Sequence, residues 1–209
     1  MKPLLTAAAA LALGLTLGGC AILGALGGKD PVQLYRFGGS GEASAAVIAP
    51  SATTIQLNSL SFDSAAEGDR MLSVTGAEAA YIGASRWVAP ARDLFADAAE
   101  RAFDRAGLRL SRRNQPFDAD ASLVLEVPTF EARYENGATA APVVVVEVRA
   151  SMVSGPDRKV LGETAYTVRQ PAADNRVTAI VPAFDTATRQ ALDQVAAWAA
   201  TAARSAPKT

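Results

Sequence analysis

Apolar and polar residues alternate along Val32 to Phe37, which reads as a short first strand, and again along Thr53 to Leu60, where Ile55 and Leu57 share a face. Met71 to Val74 and Ala80 to Ile82 read as further short strands. The stretch Ser61 to Arg70, rich in Ser, Asp, Glu and Gly, joins them. From Ala89 the period changes to that of a helix. Leu94, Phe95, Ala98, Ala102, Phe103 and Ala106 form one stripe, with the charges Arg92, Asp93, Asp97, Glu100, Arg101 and Asp104 away from it. Pro90 suits the first turn of that helix and Gly107 its end.

The middle of the chain is strand-like. Ala121 to Tyr134 alternates through Leu123, Leu125 and Val127, with Pro128 marking a bulge or an edge, and ends at Glu135-Asn136-Gly137. Pro142 to Val153 puts Val144, Val146, Val148, Ala150 and Met152 on one face, and Glu147, Arg149 and Ser151 on the other. Ser154-Gly155-Pro156-Asp157 turns the chain, and Arg158 to Arg169 runs back. A second helix is expected from Asp185, as N-cap after Pro182, to Ala202, with Thr188, Ala191, Leu192, Val195, Trp198 and Ala202 inward. The fold class expected is α+β: a largely antiparallel sheet with two amphipathic helices packed on one face.

The first residues have a different character. Met1-Lys2-Pro3, an uncharged run from Leu4 to Leu17, and Gly18-Gly19-Cys20 form a basic start, an apolar stretch and a small-residue cleavage site, as in an export signal. A membrane span needs about 20 apolar residues of sustained strength, and Gly14, Thr16, Gly18 and Gly19 dilute this one. Leu17-Gly18-Gly19-Cys20 resembles the bacterial lipobox. The resemblance implies a lipid-modified Cys20 as the first mature residue, its acyl chains holding the protein on a bilayer at roughly 0.8 kcal/mol per buried CH₂. Ala21, rather than Asp, after the cysteine implies outer-membrane sorting by the enteric rule. The expected organisation is a signal peptide over 1–19, a lipidated tether over 20–30, a domain over 31–203 and a tail over 204–209, with 38–52 a loose loop.

Composition narrows the chemistry. Removing Lys2 with the signal from the 20 basic residues leaves 19 against 21 acidic ones, which argues against nucleic-acid binding. Arg109, Arg112 and Arg113 read as the solvated end of a helix and its loop. The sequence contains no histidine, so the commonest general base, the commonest metal ligand and every His-dependent dyad are missing. No catalytic site, metal site or cofactor is expected. Cys20 is the single cysteine, which rules out an internal disulfide.

With the lipobox, the early Leu34-Tyr35-Arg36-Phe37 strand, and Tyr81-Ile-Gly-Ala-Ser-Arg-Trp-Val-Ala-Pro90 running into a helix, the chain resembles the ABC-type transport auxiliary lipoprotein family. Trp87, Pro90 and Leu94 fall at matching positions. Phe62-Asp63 and Asp69-Arg70-Met71-Leu72 are a looser version of the family's segment before its second apolar strand. The resemblance implies a non-catalytic accessory, lipid-anchored at the periplasmic face of the outer membrane. Its implied partners are an MCE-domain periplasmic protein, a permease and an ATPase that together move lipids or other apolar molecules; homo-oligomers are left open.

Tyr35, Tyr81, Trp87 and Trp198 read as core residues. Arg86, Arg92 and the loop 61–70 are the surface candidates for a partner face. Two other classes compete with the accessory: a free-standing lipoprotein holding an apolar ligand between sheet and helices, and an envelope enzyme using paired carboxylates such as Asp118 and Asp120. A gene neighbourhood with MCE, permease and ATPase genes separates the accessory from the free-standing binder.

Overall fold

A computed structural model of the chain describes residues 31–39, 53–112, 119–155 and 158–204. The expected signal, Cys20, Ala21, residues 40–52 of the expected loop, Arg113, Asp118, the turn residues Pro156 and Asp157, and positions 205–209 lie outside the described residues.

The elements run β1 (Gln33–Tyr35), β2 (Thr54–Phe62), β3 (Leu72–Thr75), β4 (Glu78–Tyr81), β5 (Ser85–Trp87), α1 (Ala91–Arg105), β6 (Arg109–Arg112), β7 (Ala121–Arg133), β8 (Val143–Ser154), β9 (Val160–Pro171) and α2 (Val177–Arg204). β7 is the spine of the main sheet. Along one edge it pairs antiparallel with β8, which pairs antiparallel with β9. Along its other edge β2 pairs parallel with its first half, and β3 parallel with its end at Ala132 and Arg133. β6 lies parallel outside β2, and β4 closes a hairpin on β3. The result is the α+β class expected, with a mostly antiparallel but mixed sheet.

The parallel pairs follow from connectivity. Parallel neighbours need a crossover, usually helical, and α1 supplies it between β2 and β6. Pro128 falls where the β7–β8 register slips between Glu126 and Thr129, the bulge its missing N–H demands.

α1 buries Leu94, Phe95, Ala98, Ala102 and Phe103 of the stripe read from the sequence, whereas Ala106, the sixth, is exposed at the C-cap because the helix ends at Arg105, and Gly107 follows at φ +73°. Arg109 to Arg112 is not a helix end. It is strand β6, formed because Leu110 reaches the core beside Ile55, while Arg112 turns back to ion-pair with Asp97 and Glu100 of α1.

α2 begins eight positions before the expected Asp185, at Val177, and carries Pro182 inside it. Asp185 is therefore not an N-cap. Proline removes one backbone bond and crowds the preceding turn, yet Ile180, Ala183 and Phe184 on either side of it are buried and keep the helix on the sheet. No described helix is long and apolar enough to cross a membrane.

Candidate functional site

The end of the domain around β1 is built from several short pieces. β1 pairs parallel with β5, Leu34 opposite Arg86 and Tyr35 opposite Trp87, in a two-stranded sheet apart from the main one. Side chains alternate across a strand, so this small sheet has an inner and an outer face. Inward, Trp87 is 2% exposed, and Phe37 beyond β1 meets its ring edge-on with centroids 4.9 Å apart. Phe130 and Phe184 complete the contact at 5.1 Å from Phe37 and 5.3 Å from Trp87. Edge-to-face geometry of this kind adds about 0.5–1.5 kcal/mol per pair to the area buried.

Just past Phe37 the backbone is clasped by both helices. The Gly38 N–H donates to Asp185 Oδ1 of α2 at 2.6 Å, and Arg101 Nε of α1 donates to the Gly38 carbonyl at 2.7 Å. Asp185 also reaches Arg189 at 3.4 Å. A buried carboxylate needs such partners, and here they tie the first strand to α1 and α2.

The expected partner-face residues come together around this small sheet. Ser61 and Phe62 of the expected loop 61–70 extend β2 by pairing with β7, and in the rest of that loop both oxygens of Asp69 accept from Arg86 Nη1 at 2.9 and 3.0 Å. The carbonyls of Gly68 and Glu67 accept from the Ala91 and Arg92 N–H groups at 2.8 and 3.2 Å, so the loop caps α1 where Pro90 offers no side-chain cap. Arg70 lies over the Tyr81 ring, 3.7 Å from its centroid. Leu34 at 54% exposure, Val88 at 41% and Tyr81 at 37% add apolar surface among these arginines.

Of the aromatic residues read as core, Trp87 is buried and Tyr35 half-buried. Tyr81 is a surface residue, because β4 is an edge strand whose pattern is exposed throughout. Trp198 is half-buried, its ring lying over Gly162 of β9, where the absent side chain leaves it room. The sequence reading missed β5, and it took Asp185 for an N-cap and Gly38 for the start of a loose loop rather than for the two halves of a clasp. The Tyr81 to Pro90 segment signalled β5 only through Trp87.

Of the two carboxylates named for the enzyme reading, Asp120 is the one among the described residues. Asp120 Oδ2 accepts from the Thr54 N–H at 2.8 Å and its own backbone pairs with Thr54 and Gly155, a structural staple between β2 and β7. Among the described residues, no group of three or more Asp, Glu, Cys or His side chains could hold a metal ion. Between sheet and helices Phe37, Trp87, Phe130 and Phe184 pack ring against ring. A groove of about 390 Å³ lies instead across β7, β8 and β9, lined by residues including Glu126, Arg149 and Glu163.

The model of the ABC-type transport auxiliary lipoprotein component matches residues 40–196. The chain belongs to this family. Its members are auxiliary lipoproteins of ABC-type transport, and lipoproteins are held at a membrane. No curated protein matches the sequence. Among solved structures, the chain is similar to a Xanthomonas campestris protein (21% identity, TM-score 0.62, 75% of this chain and 90% of that one covered). It is also similar to an uncharacterized protein (11%, 0.62, 81% and 99%). A hypothetical protein of Chlamydia trachomatis follows (9%, 0.50, 72% and 99%). At these identities the likeness is one of fold.

Proposed function

We propose that the protein is a non-catalytic accessory of an MCE-type ABC transport system, anchored through lipidated Cys20 at the periplasmic face of the outer membrane. The system moves lipids or other apolar molecules across the envelope. The surface of Leu34, Tyr81, Val88 and Arg86 docks onto the periplasmic MCE protein.

The observation that carries this reading is where that surface lies within a member of the auxiliary family. It borders β1, the first described strand, which starts 13 residues after the proposed anchor Cys20, so the described segment nearest that anchor in sequence lies beside apolar side chains exposed among arginines. Aromatic and Arg side chains are the groups most often found at the energetic centre of protein interfaces.

Epistasis tests it. An accessory contributes nothing once its transporter is gone, so deletion of this gene, of the cognate MCE gene, and of both are expected to give the same sensitivity to detergents and bile-type amphiphiles. A double deletion clearly more sensitive than the MCE deletion overturns the proposal in favour of an independent function.

A further inference from the structure

β9 is an edge strand of twelve residues, Val160–Pro171, and no described strand pairs with its outer side. The sheet's other edge strands, β4 and β6, have four residues each. Long edges are normally blunted by charged side chains, above all lysine, by proline or by a bulge, and the two charges of β9, Glu163 and Arg169, are of opposite sign and so can pair across an edge. β9 has no lysine, its proline is its last residue, and its register slip lies at its start, where Leu161 is the extra residue.

The hydrogen-bonding phase of this edge can be read directly. The Ala172 N–H donates to the Pro142 carbonyl, so even-numbered residues of β9 bond to β8. Glu163, Ala165, Thr167 and Arg169 therefore direct their N–H and C=O groups outward. Their side chains are exposed on the face away from the helices, whereas Gly162 lies under Trp198 of α2.

We infer that β9 pairs antiparallel with β9 of a second copy about a two-fold axis through Tyr166, joining the two sheets into one. In this register Glu163 stands opposite Arg169 of the other copy, twice by symmetry, and Ala165 stands opposite Thr167. Opposite charges facing across strands stabilise a pair. Glu163 has no ion-pair partner among the described residues, and Arg169, paired with Glu135 of its own chain, remains about half exposed.

Neighbouring registers in the same bonding phase do worse. Moving the axis to Ala165 sets Arg169 against the bulged Leu161, and moving it to Thr167 asks Pro171 for an N–H it lacks. With the axis at Tyr166, Glu163, Ala165, Thr167 and Arg169 of each copy give a donor and an acceptor, about eight hydrogen bonds in all. The interface is isologous and closes as a dimer.

Cysteine cross-linking in cells carrying the full-length lipoprotein tests this. Tyr166→Cys puts two thiols on the axis as a non-hydrogen-bonded pair with Cα atoms about 4.5 Å apart, within disulfide range. A dimer band on a non-reducing gel is expected from Tyr166→Cys and none from Ala165→Cys, whose partner position is Thr167. Thr167→Pro removes an outward N–H that β8 does not use; added to Tyr166→Cys, it is expected to abolish the band at unchanged protein level. Should that variant be degraded, the charges decide. Glu163→Arg is expected to reduce the band several-fold, and Glu163→Arg with Arg169→Glu to restore it. A monomeric Tyr166→Cys, an equal band from Ala165→Cys, a cross-link to a different polypeptide, or a charge swap without rescue overturns the inference.

Discussion

Gly38 lies so close to Ala98 of α1 that a Cβ built on it would stand 2.6 Å from the alanine Cβ. The contact lets the segment after β1 sink between the helices, bringing its N–H to Asp185 and its carbonyl to Arg101. Gly38 also has φ +71°, where an L side chain costs about 1–2 kcal/mol. Overpacking adds about 1–3 kcal/mol. Gly38→Ala is expected to destabilise the domain by roughly 2–5 kcal/mol in denaturant melts. A change below about 0.5 kcal/mol would mean that the first strand is not held to the helices.

Phe103 is fully buried on the inner side of α1. Phe103→Ala is expected to cost about 3–5 kcal/mol, read as a lower denaturation midpoint at unchanged slope. An exposed phenylalanine would cost far less.

The Phe103 stripe was legible in the sequence because a full helix repeats its period several times. Val144 to Met152 was legible for the same reason in period two. β5 and β6 repeat nothing: three and four residues long, they are strands only because β1 and β2 lie beside them. The parallel pairing of β2 likewise rests on partners distant in sequence. Pro182 masked the start of α2, since its local cost is visible in the sequence while the burial of Ile180 and Phe184 that offsets it is not. For the site, Arg86, Arg92 and the loop 61–70 could be named as surface. The clasp at Asp185 could not, because its partner Gly38 is 147 positions away.

Thr188 of α2 is fully buried, and its hydroxyl has no hydrogen-bond partner among the described residues. A buried unpaired hydroxyl costs about 1–3 kcal/mol relative to a satisfied one, and valine has nearly the same shape. Thr188→Val is expected to raise stability by about 1 kcal/mol, seen as a higher midpoint. A loss of stability would reveal a bonded hydroxyl.

Burial pushes the Asp104 carboxyl above its ordinary value, with Arg109 and Arg105 opposing the shift. The folded state then holds this proton at pH values where the unfolded chain has released it. By linkage, stability falls as pH rises from the ordinary aspartate range through the folded pKa. Asp104→Asn cannot ionise and is expected to flatten that slope, leaving the domain at least as stable as the parent at neutral pH. Melts of both proteins from acid to neutral pH check the sign. A parent that gains from Asp104 as pH rises would show that the flanking arginines outweigh burial.

Arg86 separates docking from folding. Its ion pair with Asp69 is exposed on both sides, 42% and 49%, and pairs of this kind are worth about 0–1 kcal/mol. Arg86→Glu should therefore leave the fold nearly untouched, the more so because Trp87 and Ala91 hold the loop through backbone bonds to Asp69 and Gly68. It does reverse the charge at the centre of the exposed Leu34 and Val88 surface. The expected outcome is a domain within about 1 kcal/mol of the parent that fails to restore detergent resistance to the deletion strain. Arg176→Glu, removing an arginine that is 75% exposed and paired with Asp174 just before α2, serves as the control and should complement normally. Full complementation by Arg86→Glu at normal protein level would move the docking surface elsewhere on the domain.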